Sequence, residues 1–159
     1  MKKELVFVSL IALVLFAGCK SKETTAAFHS YTTECLGIGM DGSQTLRVWA
    51  SGRNKTDAIE QAKKKAVYDV VFSGIQAGNG GCNAYPVVDE ANARKKYEDY
   101  FDLFFANNGA YTQYVSTSGQ KKSAIQRFYG DGTQTLGIIV TVNRSALRQR
   151  FESDNIIVK

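Results

Sequence analysis

The sequence predicts an α+β fold: a two-layer sandwich with a mainly antiparallel sheet, two main helices packed on one face and a short C-terminal helix. Three observations lead there. The segment Leu46-Arg47-Val48-Trp49-Ala50-Ser51 alternates with period two and sets Leu46, Val48 and Ala50 on one face, which is strand chemistry. Two segments after it carry apolar residues at spacings of three and four, the signature of amphipathic helices. The chain then runs through β-branched stretches joined by short links, and short links favour antiparallel neighbours. The order strand, helix, helix, strand, strand, strand, short helix groups the helices on one face of the sheet.

The elements follow in chain order. Leu36-Gly37-Ile38-Gly39-Met40 reads as an earlier strand or a looser lead-in, and Gly52-Arg53-Asn54 as a turn. A helix is expected from Thr56 to Phe72, with Thr56 as N-cap and Asp57 and Glu60 placing negative charge at the positive end of its dipole. Its apolar stripe is Ala58, Ile59, Ala62, Ala66, Val67, Val70 and Val71, and the small alanines let its first half lie close against a sheet. Gly74 ends it. Residues 75–85 hold Gly78, Gly80, Gly81 and Cys82 and read as a loop. These glycines lack the Gly-Lys-Ser/Thr and the leading strand that a phosphate cradle needs.

A second helix is expected from Glu90 to Asn107, with Asp89 as N-cap and Gly109 as the stop. Ala93, Tyr97, Tyr100, Phe101, Phe104 and Phe105 fall at helical spacing. The stripe has two readings: a core face with tyrosine hydroxyls at its wet edge, or a partner surface formed by Tyr97, Tyr100, Phe101 and Phe104 together with Trp49. Strands are expected at Ala110–Ser116, Ser123–Tyr129 and Thr135–Val142, with a turn at Gly130-Asp131-Gly132. The last of these strands is the most apolar and is expected at the sheet's centre. Asn143 then caps a short helix from Arg144 to Glu152 that turns Leu147 and Phe151 to the core, and Asn155–Lys159 is an edge strand or a frayed tail.

The N-terminal end carries an address. Lys2 and Lys3 precede an apolar stretch from Leu5 to Phe16, the layout of a secretory signal. Its 12 residues fall short of the about 20 that cross a bilayer. It ends Leu15-Phe16-Ala17-Gly18-Cys19, which resembles the lipobox of bacterial lipoproteins, with Phe16 where that pattern commonly has leucine. The resemblance implies cleavage before Cys19, a diacylglycerol on its thiol and usually an acyl chain such as palmitate on the new amine. Several chains at about 0.8 kcal/mol per buried methylene make a lasting anchor. Lys20 stands where aspartate commonly means inner-membrane retention, so the sorting rule implies the cell outer membrane. The expected organisation is a signal peptide over residues 1–18, a lipidated flexible tether over 19–33 and a single α+β domain over 34–159.

Composition agrees with an ordinary folded domain: 44% hydrophobic, 22% charged and one proline. The chain carries +5, and the signal accounts for +1 of it through Lys2, Lys3 and Glu4. Basic runs at Lys63–Lys65, Arg94–Lys96, Lys121–Lys122 and Arg144, Arg148, Arg150 have acidic residues interleaved, and read as solvated helix faces or as a weak attraction to anionic lipid or cell-wall polymer. Nucleic acid is not an expected partner in this compartment.

With Cys19 lipidated, Cys35 and Cys82 remain. The envelope outside the inner membrane permits disulfides, and an even remainder suggests one bridge, closing a loop of about 48 residues for roughly 4 kcal/mol. The other readings are two buried thiols or a partner on another chain. No metal-ligand spacing accompanies them. The only histidine, His29, falls in the expected tether, a poor scaffold for a catalytic pair. Asp99 and Asp102, three apart on the second helix, are an acid/base pair in principle and a solvated helix edge in the plainer reading.

The strand ending Ala50-Ser51-Gly52 followed by Thr56-Asp57-Ala58-Ile59-Glu60-Gln61-Ala62-Lys63-Lys64-Lys65-Ala66 resembles the Lpp-twenty-like lipoproteins and the related N-terminal domain of flagellar assembly protein T. Asp131-Gly132, Val140-Thr141-Val142 and Ala146-Leu147 fit the later parts of that pattern, and the resemblance spans about residues 45–151. It implies an α+β envelope module, often an accessory or assembly component, with no catalytic residues and no cofactor. The expected partners are therefore the membrane through Cys19, and envelope proteins or a second copy of the chain. The alternative is a module binding glycan or cell-wall polymer through exposed aromatic rings.

Overall fold

The computed structural model describes residues 32–117, 127–130 and 133–158. The signal stretch, Cys19, the tether with His29, Lys121–Lys122 and the turn at Asp131-Gly132 lie outside the described residues.

The domain is α+β, built on a six-stranded mixed sheet. The strands are β1 (Glu34–Ile38), β2 (Ser43–Gly52), β3 (Ala77–Gly78), β4 (Val115–Thr117), β5 (Arg127–Gly130) and β6 (Thr133–Asn143). Their order is β3-β1-β2-β6-β4, and β5 also pairs with β6. All pairings are antiparallel except the short β1–β3 contact. The long β2–β6 ladder runs from Ser43 opposite Asn143 to Gly52 opposite Gln134. Its register sets Leu46 against Val140, Val48 against Ile138 and Ala50 against Leu136, so the apolar alternation of both strands falls on one buried face. The central place expected for the Gly137–Val142 run is the one β6 occupies.

Helix α1 (Lys55–Tyr68) covers that face with Ala58, Ala62, Ala66 and Val67, all fully buried. The close approach that the alanines allow is visible at Gly52. A Cβ there would come within 2.3 Å of the Ala58 backbone nitrogen. Gly52→Ala must push helix from strand, and we expect a loss of about 1–3 kcal/mol in chemical denaturation.

Four boundaries differ from the sequence reading. The N-cap of α1 is Asn54, not Thr56: its side chain accepts from the Asp57 backbone at 2.9 Å. The helix stops as an α-helix at Tyr68 and widens into a π segment, Asp69–Ser73, closed by Gly74 N–H donating to the Asp69 carbonyl. The Val70 and Val71 carbonyls then accept from Val87 and Val88, which ties down the loop behind them. The second helix is two pieces, α2 (Ala93–Lys96) and α3 (Glu98–Phe104). Asn92 sits at φ 63, outside helical space, and Tyr97 at ψ 41 breaks the ladder, so Asp89 caps nothing. Finally, residues Ala110–Tyr114 form a 3₁₀ turn, leaving only Val115–Thr117 as strand. The turn carries the Tyr111 ring into the core, where it is 2% exposed.

The C-terminal helix α4 (Arg144–Ser153) is capped by Asn143, which accepts from Ala146 at 2.9 Å, and buries Leu147 and Phe151. The tail beyond it adds no strand among the described residues; Ile156 folds back, donating to the Phe151 carbonyl at 2.8 Å.

Candidate interaction surfaces

Each singled-out residue has a definite place. Cys35 and Cys82 form a disulfide with Cα atoms 5.7 Å apart, so the bridge is intramolecular. It clamps the 79–85 loop against β1. Loop and strand are so close that a Cβ on Gly80 would come within 2.3 Å of the Gly37 nitrogen.

The aromatic stripe divides. Phe101 and Phe104 are buried, and their rings meet Phe151 at 5.8 and 5.4 Å. Those two rings belong to a second core layer between α3 and α4 and leave the candidate partner surface. The reason is the helical period within α3: positions 101 and 104, three apart, share the face that meets Phe151. Tyr97 and Tyr100 are half-buried at the layer's edge. Trp49 is half-buried on the opposite face of the sheet from the core, where its ring covers Gly137 closely enough that a Cβ there would lie 3.0 Å away.

Tyr100 is a clasp. Its hydroxyl donates to the Asp154 carboxylate, which also accepts from Arg150, linking α3 to the end of α4. Burial, then the carboxylate, push the Tyr100 phenol above its ordinary value. Burial alone would raise the Asp154 carboxyl, but the Tyr100 hydroxyl and Arg150 outweigh it and hold it below its ordinary value. The Asp154 contribution is therefore present above about pH 4 and lost as pH falls below it, and the Tyr100 contribution is lost as pH rises past about 10. Tyr100→Phe should cost about 1–2 kcal/mol at pH 7 and flatten both limbs of the stability–pH curve, as measured by urea denaturation at each pH.

The basic runs face carboxylates. Lys63 meets Glu60, Lys65 meets Asp69, Lys96 meets Glu90, and Arg148 and Arg150 meet Glu152 and Asp154, all within 2.9 Å. Asp102 meets Arg94 at 2.6 Å, so it is engaged with a cation and not with Asp99. The exposed pairs among these contribute little stability and fit the reading of solvated helix faces, whereas Lys63–Glu60 and Lys65–Asp69 are partly buried.

Compared with protein-family models, curated proteins and solved structures, the chain matches none of them.

Two surface features were not singled out from the sequence. The first is the β1–β2 hairpin arm. Leu36, Ile38 and Met40 are 38%, 52% and 110% exposed, an apolar run on one arm of the sheet's outer hairpin. A β-bulge between Cys35 and Gly37 breaks the strict alternation there, and the glycines on either side of Ile38 obscured the strand signal. The second is a polar groove of roughly 420 Å3 between the first turns of α1 and the 107–111 segment, lined by Arg53, Glu60, Gln61, Asn107, Asn108 and Tyr111. Its walls are 54 residues apart at Arg53 and Asn107, so only the fold assembles it. Among the described residues no group of histidine, cysteine and carboxylates has the makings of a metal site.

Proposed function

We propose that the chain is a lipid-anchored lipoprotein of the outer membrane whose domain is a non-catalytic assembly or accessory module working through protein contacts. The observation that carries this reading is the hairpin arm. Three large apolar side chains, Leu36, Ile38 and Met40, stand in water within five consecutive residues, whereas the other exposed ones among the described residues, Tyr68, Tyr85, Leu103 and Val158, are far apart in the chain; exposed apolar runs of this kind mark contact sites. The lipobox-like Leu15-Phe16-Ala17-Gly18-Cys19 and the Cys35–Cys82 bridge support an exported, oxidising setting. The likeness of residues 45–151 to the Lpp-twenty-like pattern supports the envelope role.

The test is a photo-cross-linking amino acid placed at Met40 in cells, with Asp99 on α3 as the comparison position. The reading expects one or two envelope proteins, or a second copy of the chain, captured in fixed ratio from position 40 and not from position 99. If position 40 captures nothing and deletion of the protein leaves every envelope complex intact, the reading fails.

A further inference from the structure

The polar groove has a chemistry that protein contacts through the hairpin arm do not use. One wall is the start of α1, with Arg53 and Glu60; the other is the Asn107-Asn108 turn. That turn has a fixed shape. Asn108 sits in the left-handed region at φ 57, and a Cβ on the following Gly109 would come within 2.6 Å of the Phe104 carbonyl oxygen. Both asparagine side chains are exposed at the groove's rim, each offering an amide donor and a carbonyl acceptor. Tyr111 forms the floor; it is buried and keeps its phenolic proton, raised by burial and then by the Glu60 charge.

The charges decide the ligand class. Arg53 is opposed by Asp57, 3.5 Å from its Nε, and the second carboxylate of the lining, Glu60, is itself paired with Lys63 at 2.7 Å. Among the lining residues one cation stands against two carboxylates, so phosphate and anionic headgroups are poorly matched. Amide, hydroxyl and carboxylate groups together suit an uncharged ligand rich in hydroxyls and amides. The volume falls in the range of about 300–1,000 Å3 usual for small-ligand sites. We propose that this groove binds a short uncharged glycan, with acetamido sugars preferred because an asparagine amide can both donate to and accept from an acetamide. The proposal depends on neither the lipid anchor nor the hairpin arm.

The experiment is an NMR titration of the detergent-solubilised full chain with di-N-acetylchitobiose, with maltose and inorganic phosphate as companions. The expected result is saturable shifts at the Asn107 and Asn108 side-chain amides and the Gly109 N–H, with a dissociation constant of the order of 1 mM. The double variant Asn107→Ala, Asn108→Gly should weaken binding at least about tenfold, since one wall then loses both its side-chain amides. Glycine accepts the left-handed conformation, so Asn108→Gly alone keeps the turn and is the variant to read if the double variant melts early. No saturable shift up to about 20 mM would overturn the proposal, as would unchanged binding by the folded variants. So would phosphate acting on the same amides at lower concentration, or maltose binding as tightly as the acetamido disaccharide.

Discussion

Phe101→Ala should lower the unfolding free energy by about 3–5 kcal/mol, the largest loss expected from any single side chain here. Phe101 is fully buried, with its ring 4.8 Å from Phe72, 5.3 Å from Tyr100 and 5.8 Å from Phe151. It is the point where α3, α4 and the end of the first helix share one aromatic layer, and no neighbour is free to collapse into the space it would leave. Leu103→Ala, two residues away and 75% exposed, should change stability by no more than about 0.5 kcal/mol. Urea denaturation of the two variants measures the contrast. Equal losses would mean that the stripe is not divided between core and surface as described.

Replacing both Cys35 and Cys82 by alanine should cost about 4 kcal/mol by the chain-entropy relation, for a bridge across a sequence separation of 47. The loss should be uneven in space. The 79–85 loop is held by the bridge and by Ile75 N–H donating to the Asn83 carbonyl at 3.1 Å, whereas the β2–β6 ladder has its own ten-pair register. Hydrogen exchange should therefore speed up most near Gly80 and Cys82 and least along Leu46–Ala50. Reducing the wild-type protein should reproduce the pattern. A double variant as stable as the wild type would show that the bridge braces nothing.

These two results also mark what could be read from the sequence. The buried faces of β2 and α1 follow directly from period two and from alanines at three and four, because a single face of each is covered and local pattern equals burial there. The bridge was one of three open readings, and cysteine counting alone could not choose between them. The second helix reads as continuous in the sequence because its aromatic spacing runs on across Asn92 and Tyr97, whose backbone angles leave helical space. Apolar periodicity reports which residues want burial and not whether the hydrogen-bond ladder between them is unbroken. The same limit hid the 3₁₀ turn at Ala110–Tyr114, where tyrosine and threonine favour a strand but the Tyr111 ring is drawn into the core. The groove was illegible for a different reason: Arg53 and Glu60 meet Asn107 and Asn108 only after α1 and the turn after α3 have packed. The hairpin arm was half legible, since Leu36, Ile38 and Met40 are apolar in the sequence but nothing local tells whether a second layer covers them.

The most direct test of where this domain works is the intact mass of the protein purified from membranes. A lipid-anchored envelope protein should begin at Cys19 and carry a diacylglycerol with an amide-linked acyl group, all of which is lost from a Cys19→Ala variant that no longer sediments with membranes. A mature chain that begins elsewhere, or that carries an unmodified Cys19 thiol, would contradict it.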